Sequence, residues 1–452
     1  MDALQKPRPR GAFFIAEDRR VGYFVGMRII CVIVCLGVGP CAFAQCDQWS
    51  RGFAPAPGGL GMNGGVNDLV EWGGALYATG SFFDAGGVRA NYLAKWTGSG
   101  WARVGSGEAF NGGGMDLTGY ALAVYGNRLV VGGFFNSAGD VPAQQIAIWD
   151  GHAFAPLGTG ITGGFRRVSC LAVVGGDLYA GGAFMTAGGV PAANIARWNG
   201  SEWSPLGVGT NGEVFAIASY QGSLVVGGRF NAAGGVSRRG IASWNGTTWT
   251  DFAGGQAGSL GAVYCLLAEG NDLYVGGNFA SLGSAVVNDI ATWNGSSWNT
   301  MHSGVTGVGV NALMRFDGTL VVAGQFYRAG AVDVQNIATW SPTDGYRPLA
   351  EGLNLNVETL IVYGESGQRP SLWAGGGFFN LGDNVTPSSN IGRWGAACAA
   401  EMTCDGFLDI FDYEEFVRAF EAGEPKADVA YDGFVDAFDY DRYVELFEFG
   451  CR

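Results

Sequence analysis

The sequence predicts an all-β protein, a β-propeller of seven four-stranded blades, followed by a small α-helical module at the C-terminus. Three observations predict it. Glycine supplies 79 of the 452 residues, well over twice the usual share of about 7%. A phenylalanine followed at near-fixed distance by a tryptophan recurs seven times. Residues 401–452 hold fifteen acidic residues against four basic ones and contain a second, shorter duplication.

The recurring unit carries the architecture. A Leu-x-x-(Gly)-Gly-x run precedes Phe82, Phe135, Phe184, Phe230, Phe279, Phe326 and Phe378, and Trp96, Trp149, Trp198, Trp244, Trp293, Trp340 and Trp394 follow. The Phe-to-Trp distance is 14 residues in six copies and 16 in the last, and the copies recur every 46 to 53 residues. In the copy from Val310 to Gly352, Val310–Met314 reads as a first strand, with alternate residues on one face. Thr319–Phe326 is an apolar second strand, Asn336–Trp340 a third after a polar loop, and a fourth ends near Leu349. Elsewhere the third and fourth strands are joined by Trp-Asn-Gly, as at Trp198–Gly200, and Asn-Gly accepts the positive φ of a tight hairpin. The paired glycines in the second strand let a neighbouring backbone or ring approach closely. Four short antiparallel strands per 46–53 residues is the arithmetic of a propeller blade.

The ends of the array predict closure. The seventh copy stops after its third strand at Trp394, while Gln48–Gly61 resembles the fourth strand seen at Trp203–Gly209. The N-terminal strand can therefore complete the last blade, which makes residues 45–397 the propeller and removes exposed sheet edges. Cys46 precedes Trp49 by three residues and Cys398 follows Trp394 by four. A Cys46–Cys398 disulfide would replace the covalent hairpin missing there; Cys404 and Cys451 could staple the tail, and four cysteines allow three connectivities. Cys170 and Cys265 read as small buried hydrophobes on inner strands, too far apart to bond.

These residues resemble kelch-like propellers over residues 46–397: a glycine pair after a β run, an aromatic residue, then tryptophan on the outer strand. The resemblance implies architecture and not activity, because the fold hosts many functions. Some kelch-like secreted enzymes use copper held by histidine and tyrosine; with only His152 and His302, in unrelated loops, this chain does not match that set.

Residues 1–44 read as a targeting segment. Met27-Arg28, an apolar stretch from Ile29 to Val38 and Ala42-Phe43-Ala44 give a basic start, a hydrophobic region and a cleavage site after Ala44. Met27 is a candidate start, since residues 1–26 have no place in such a signal. The apolar stretch is short for a bilayer, which needs roughly 20 residues. The expected product is secreted or at the cell surface, with no transmembrane span after cleavage.

The formal charge of −14 lies mostly in residues 401–452, which carry −11 of it. Such a balance excludes a nucleic-acid partner and points to a cation site. Asp405–Tyr413 returns 27 residues later as Asp432–Tyr440, each followed by an amphipathic run, Phe416-Val417-Phe420 and Tyr443-Val444-Phe447. Carboxylates at loop positions 5, 9 and 12 around a glycine at position 6 match calcium-loop spacing. With Asp at position 12 and a Gly450-Cys451 ending, residues 398–452 resemble a bacterial dockerin. The resemblance implies calcium held by Glu401, Thr403, Asp405, the Phe407 carbonyl, Asp409 and Asp412, and by Asp428, Asp432, the Phe434 carbonyl, Asp436 and Asp439. Glu401 stands where the first Asp is usual, and Ala430 lacks the third-position ligand. A cohesin-like or cell-surface protein is the partner the resemblance implies.

Two functions fit this organisation. One is a non-catalytic recognition or scaffold protein whose propeller binds a carbohydrate or protein and whose tail attaches it. The other is a secreted lyase or glycosidase delivered by the same tail. The acids Asp84, Asp116, Asp140, Glu202, Glu213, Asp251 and Asp289 are scattered singly, whereas a glycosidase needs two carboxyls about 5–10 Å apart. Arg166-Arg167 and Arg238-Arg239 are paired charges in loops that could touch an anionic sugar, but solvated loop charge is the favoured reading. Uniform repeats with no inserted catalytic loop favour binding over catalysis.

Overall fold

The computed structural model describes residues 49–50, 52–55, 58–105, 113–254, 261–365, 370–395 and 410–423, and the single residues 427, 435, 437, 440, 441, 443 and 444. Each copy of the repeat folds into one antiparallel sheet. In the first, Val66–Trp72 pairs with Ala75–Gly80, which pairs with Leu93–Trp96, which pairs with Trp101–Arg103. The first two strands turn through Gly73 and Gly74, at φ 59° and 73°, where a side chain would be strained. The same order repeats through the sixth sheet, and the seventh holds Val357–Tyr363, Ser371–Gly376 and Ile391–Trp394. There Trp49 forms a bridge to Trp394, and the Ser50 amide donates to the Arg393 carbonyl at 2.8 Å.

The first strands neighbour one another in chain order, and the first strand of the last sheet lies beside Val66–Trp72. The sheets thus stand around a closed ring with first strands innermost, which is a β-propeller. Burial follows the same cycle. Every adjacent pair of sheets shares a hydrophobic cluster, and the pair formed by the last and first sheets is no exception: Phe53, Val66, Phe82, Trp96 and Trp101 pack on Tyr363, Trp373 and Ile391. Outer tryptophans latch neighbouring sheets as well. Trp203 Nε1 donates to the Leu157 carbonyl at 3.0 Å and Trp249 Nε1 to the Leu206 carbonyl at 2.7 Å.

The paired glycines answer two constraints at once. A Cβ on Gly181 would stand 2.6 Å from Val214 Cγ1 of the next sheet, and one on Gly182 would overlap the Arg167 carbonyl of its own sheet. The same Gly–Val contact recurs at Gly132–Val168, Gly227–Val263, Gly276–Val310 and, across the seam, Gly375–Val66. Between the first and second sheets the sizes are exchanged: Thr79 takes the glycine position and Gly119 the valine position.

The polar loop expected between second and third strands contains its own two-residue hairpin, such as Asp84–Ala85 with Val88–Arg89. In the sixth sheet the first strand runs Val305–Phe316 and the second Thr319–Ala329, longer than expected, because pairing continues outward to Val305↔Ala329.

In the tail, helix Ile410–Glu421 buries Phe416 and Ala419 with Ala427 and Tyr443. Phe416 and Tyr443 stack with centroids 3.7 Å apart, and the Tyr413 and Tyr440 hydroxyls lie at 3.2 Å. Both pairs join residues 27 apart, so equivalent positions of the two copies meet, as a local two-fold arrangement requires. Among the described residues no helix is long and apolar enough to cross a membrane.

Candidate ligand-binding face

A propeller presents two faces, and here they differ. The tight turns between first and second strands lie on one; the second-to-third connections and the passages between sheets lie on the other. Of the fifteen exposed large apolar side chains described outside the tail, all but Val173 sit on the second face. Phe165 at 85%, Val385 at 79% and Val286 at 77% are the most open. Single exposed apolar side chains are ordinary on a protein surface, but their gathering on one face sets that face apart from the other.

At the centre of that face, every first strand carries a bulge at the same position. A bulge leaves one residue unpaired and re-aims its side chain. The residues so placed are Asn67, Tyr120, Ser169, Phe215, Tyr264, Asn311 and Glu358, all half-buried. Their chemistry is uneven around the ring. Glu358 accepts from Asn356 Nδ2 at 2.5 Å and from Asn311 Nδ2 at 3.2 Å, and burial pushes its carboxyl upward. Opposite in composition, Phe215 meets Tyr264 edge-on at 5.4 Å, and Arg229 Nη2 donates to the Tyr264 hydroxyl at 3.0 Å. Beside the ring, Asp68 accepts from the Leu122 and Leu69 amides at 2.7 and 2.8 Å and from Thr359 Oγ1 at 3.3 Å. Burial outweighs those donors and pushes its carboxyl up to about 6.

The repeat is broken at the entry to the third sheet. Asn63, Asp116, Asn211 and Asn354 each stand two residues before Gly65, Thr118, Glu213 and Asn356, the last positions before the valine-type site. Thr162 stands five residues before Arg167, so this passage is three residues longer. The extra length carries Phe165 and holds Arg166 at φ 52°, a left-handed conformation unusual for arginine. Arg167 Nε donates to Glu213 Oε1 at 2.8 Å, Ser169 Oγ donates to the same oxygen at 2.6 Å, and the guanidinium lies 5.1 Å over the Tyr120 ring. Tyr120, Phe134, Phe165, Arg167 and Glu213 line an open cavity of about 390 Å³. A second cavity, about 630 Å³, lies at the sixth and seventh sheets beside Val308, Tyr327 and Leu355.

Arg167 and Arg238 correct the expectation of solvated loop charge. Arg167 opens the strand Arg167–Val174 and is ion-paired, while Arg238 donates to the Ala233 and Trp249 carbonyls at 2.7 and 3.1 Å. Asp84, Asp116 and Asp289 tie loops together: Asp116 Oδ1 accepts the Asn136 amide and Asp289 Oδ1 the Phe279 amide, each at 2.8 Å. His302 Nδ1 accepts from Trp340 Nε1 at 3.1 Å. Cys170 and Cys265 are free, and as residues they are half-buried rather than buried. Their sulfurs pack 3.8 and 3.7 Å from the Val214 and Val310 carbonyls, and burial pushes both thiols upward. Among the described residues no three His, Cys, Asp or Glu side chains are grouped to hold a metal. Glu401, Thr403, Asp405, Phe407, Asp409, Asp428, Asp432, Phe434, Asp436 and Asp439 lie outside the described residues, as do Cys46, Cys398, Cys404, Cys451 and the targeting segment. Asp412 is described only as part of the helix backbone.

No family model matches the chain, and no curated protein does. Among solved structures it is similar to the WD40 β-propeller domain of Doa1, at 13% identity and a TM-score of 0.42, over 74% of this chain and 93% of that one. The computationally designed Ika8 protein gives 14% and 0.43, over 73% and 96%. The extracellular domain of the hybrid two component system BT4673 from B. thetaiotaomicron gives 10% and 0.48, over 76% of this chain and 40% of that one. The propeller fold of this chain rests on its closed cycle of sheets rather than on these distant likenesses.

Proposed function

We propose that the chain is an exported, non-catalytic recognition or scaffold protein. Its seven kelch-like blades, the last completed by the N-terminal strand, offer the bulge-lined face to a carbohydrate or protein ligand. Its dockerin-like tail attaches it, through calcium, to a cohesin-like or cell-surface partner. The observation that carries the binding role is the one-sided exposure of apolar side chains around the bulged ring. Support for the tail comes from its acidic duplication and from the meeting of equivalent residues, Phe416 on Tyr443 and Tyr413 on Tyr440.

A second reading, a polysaccharide lyase or glycosidase delivered by the same tail, is favoured by one observation. Glu358 stands at the ring with its carboxyl pushed upward by burial, the condition of a general acid. The full chain incubated with soluble polysaccharides separates the two, with affinity electrophoresis reporting binding and reducing-end release reporting turnover. Retardation without release is the expected result. Release that Glu358→Gln abolishes would replace recognition by catalysis. For the tail, calorimetric calcium titration of the full chain is expected to give binding that Asp412→Ala and Asp439→Ala together remove. No heat above that of the double variant would end the attachment role.

A further inference from the structure

We infer that the cavity at the entry to the third sheet is a saccharide subsite for a neutral pyranose presenting two adjacent hydroxyls. The inference deepens the recognition role proposed above and rests on it.

The site is built where the repeat departs from itself. Positions equivalent to Arg167 are Gly65, Thr118, Ala262, Gly309 and Asn356; only the third and fourth sheets put charge there, as Arg167 and Glu213. Phe134 occupies a place held elsewhere by Ser81, Ala183, Arg229, Asn278, Gln325 and Gly377. The longer passage adds Phe165, whose ring is 85% exposed. None of these departures serves the ring of blades, because the other sheets close without them.

Charge and geometry select the ligand. Glu213 is only 17% exposed, and its Oε1 already takes the Arg167 and Ser169 donors. No hydrogen bond to its Oε2 is found among the described residues, and Glu213 lines the cavity, which leaves that oxygen as the acceptor for a ligand there. An anionic ligand would meet that carboxylate at close range, and a purely apolar one would strand both charges. A sugar diol satisfies the pair, with one hydroxyl donating to Glu213 Oε2 and its neighbour accepting from the guanidinium. Phe165 and Phe134 offer flat apolar surface to the C–H face of the same ring. At about 390 Å³ the cavity falls in the range of small-molecule clefts, roughly 300–1,000 Å³.

The test is calorimetry and affinity electrophoresis of the full chain against neutral xylo-, manno- and cello-oligosaccharides, with a uronic-acid oligosaccharide as the charged probe. At least one neutral probe is expected to bind. Phe165→Ala should weaken it about tenfold or more with the melting temperature unchanged, since that ring is exposed. Glu213→Gln should weaken it comparably, and Tyr327→Ala at the second cavity should not. Binding abolished by Tyr327→Ala but indifferent to Phe165→Ala would overturn this site and leave face-mediated recognition standing. Preference for the uronic-acid probe, lost in high salt, would overturn the neutral class. If no saccharide binds, the inference fails, while a protein ligand for the face is tested separately by whether Phe83→Ser and Phe379→Ser abolish its capture.

Discussion

Asn194, Asn336 and Asn390 hold one position before the third strand, and the first two each do two jobs. Asn194 Oδ1 accepts the Phe184 amide at 3.2 Å, and its Nδ2 donates to the Thr210 carbonyl of the next passage at 2.8 Å. Asn336 does the same with Phe326 and Leu353. Asp289 fills this place in the fifth sheet, where its Oδ1 accepts the Phe279 amide but a carboxylate has no N–H to give. Val305 is the counterpart of Thr210 and Leu353, by its amide bond to the Asn288 carbonyl. Burial pushes the Asp289 carboxyl up to about 6. Because the folded form holds its proton above the unfolded value, this residue favours folding at low pH. That contribution fades as pH rises from about 4 through about 6. Asp289→Asn is therefore expected to raise the melting temperature at pH 7.5, worth on the order of 1 kcal/mol after discounting for partial exposure. The gain should shrink at pH 5, measured by calorimetry at both values. A lower melting temperature at pH 7.5 would refute the missing-donor account.

At the scale of the element, the contact between sheets is a matter of size at one pair of positions. Glycine opposite valine serves most interfaces, and Thr79 opposite Gly119 serves the first with the sizes exchanged. Gly119→Val alone should overlap the Thr79 hydroxyl and destabilise by about 1–3 kcal/mol, the usual cost of overpacking. Adding Thr79→Gly recreates the arrangement of the other interfaces, and the double variant should recover most of the loss despite the Thr79 bond to the Tyr92 carbonyl. Denaturant melts of the four proteins give the coupling; additive losses would show that the exchange is incidental. The glycine pair was legible in the sequence as close approach, because a strand interior gives up side-chain packing only where a neighbour needs the space. What it approaches was not, since Val214 and Gly181 come together only once register is known. The bulged ring was hidden for the same reason: Asn67, Tyr120 and Glu358 look like ordinary alternation until the extra residue in each first strand is counted against its partner. The insertion before Arg167 left a signal in the distance from Thr162, but only against an alignment anchored on the loop residue rather than on phenylalanine and tryptophan.

The cycle of sheets is cut once. Its sheets were readable because one pattern returned at nearly constant spacing, and repetition compensates for weak local preference. The seam is where this cycle is held without a hairpin. Trp49 is 2% exposed, packs edge-on against Trp394 at 5.5 Å and joins the cluster of the sixth and seventh sheets. Trp49→Ala should cost about 3–5 kcal/mol, as large aromatic truncations do. Limited proteolysis should then cut first near residues 391–395 rather than in the first-to-second turns shared by every sheet. Unchanged proteolysis would mean that the seam is closed by other contacts.

That cut also sets an order in time. The Asn390 side chain bonds the Met62 carbonyl across 328 residues of chain, and Trp49 waits for a partner that is translated 345 residues after it. At about 5–20 residues per second, the wait is on the order of twenty to seventy seconds. Earlier sheets can form on their local hairpins during that interval, but Trp49 has nothing to bridge to. Closure of the ring therefore waits for the last sheet, and a chain released before Trp394 carries an open edge at both ends.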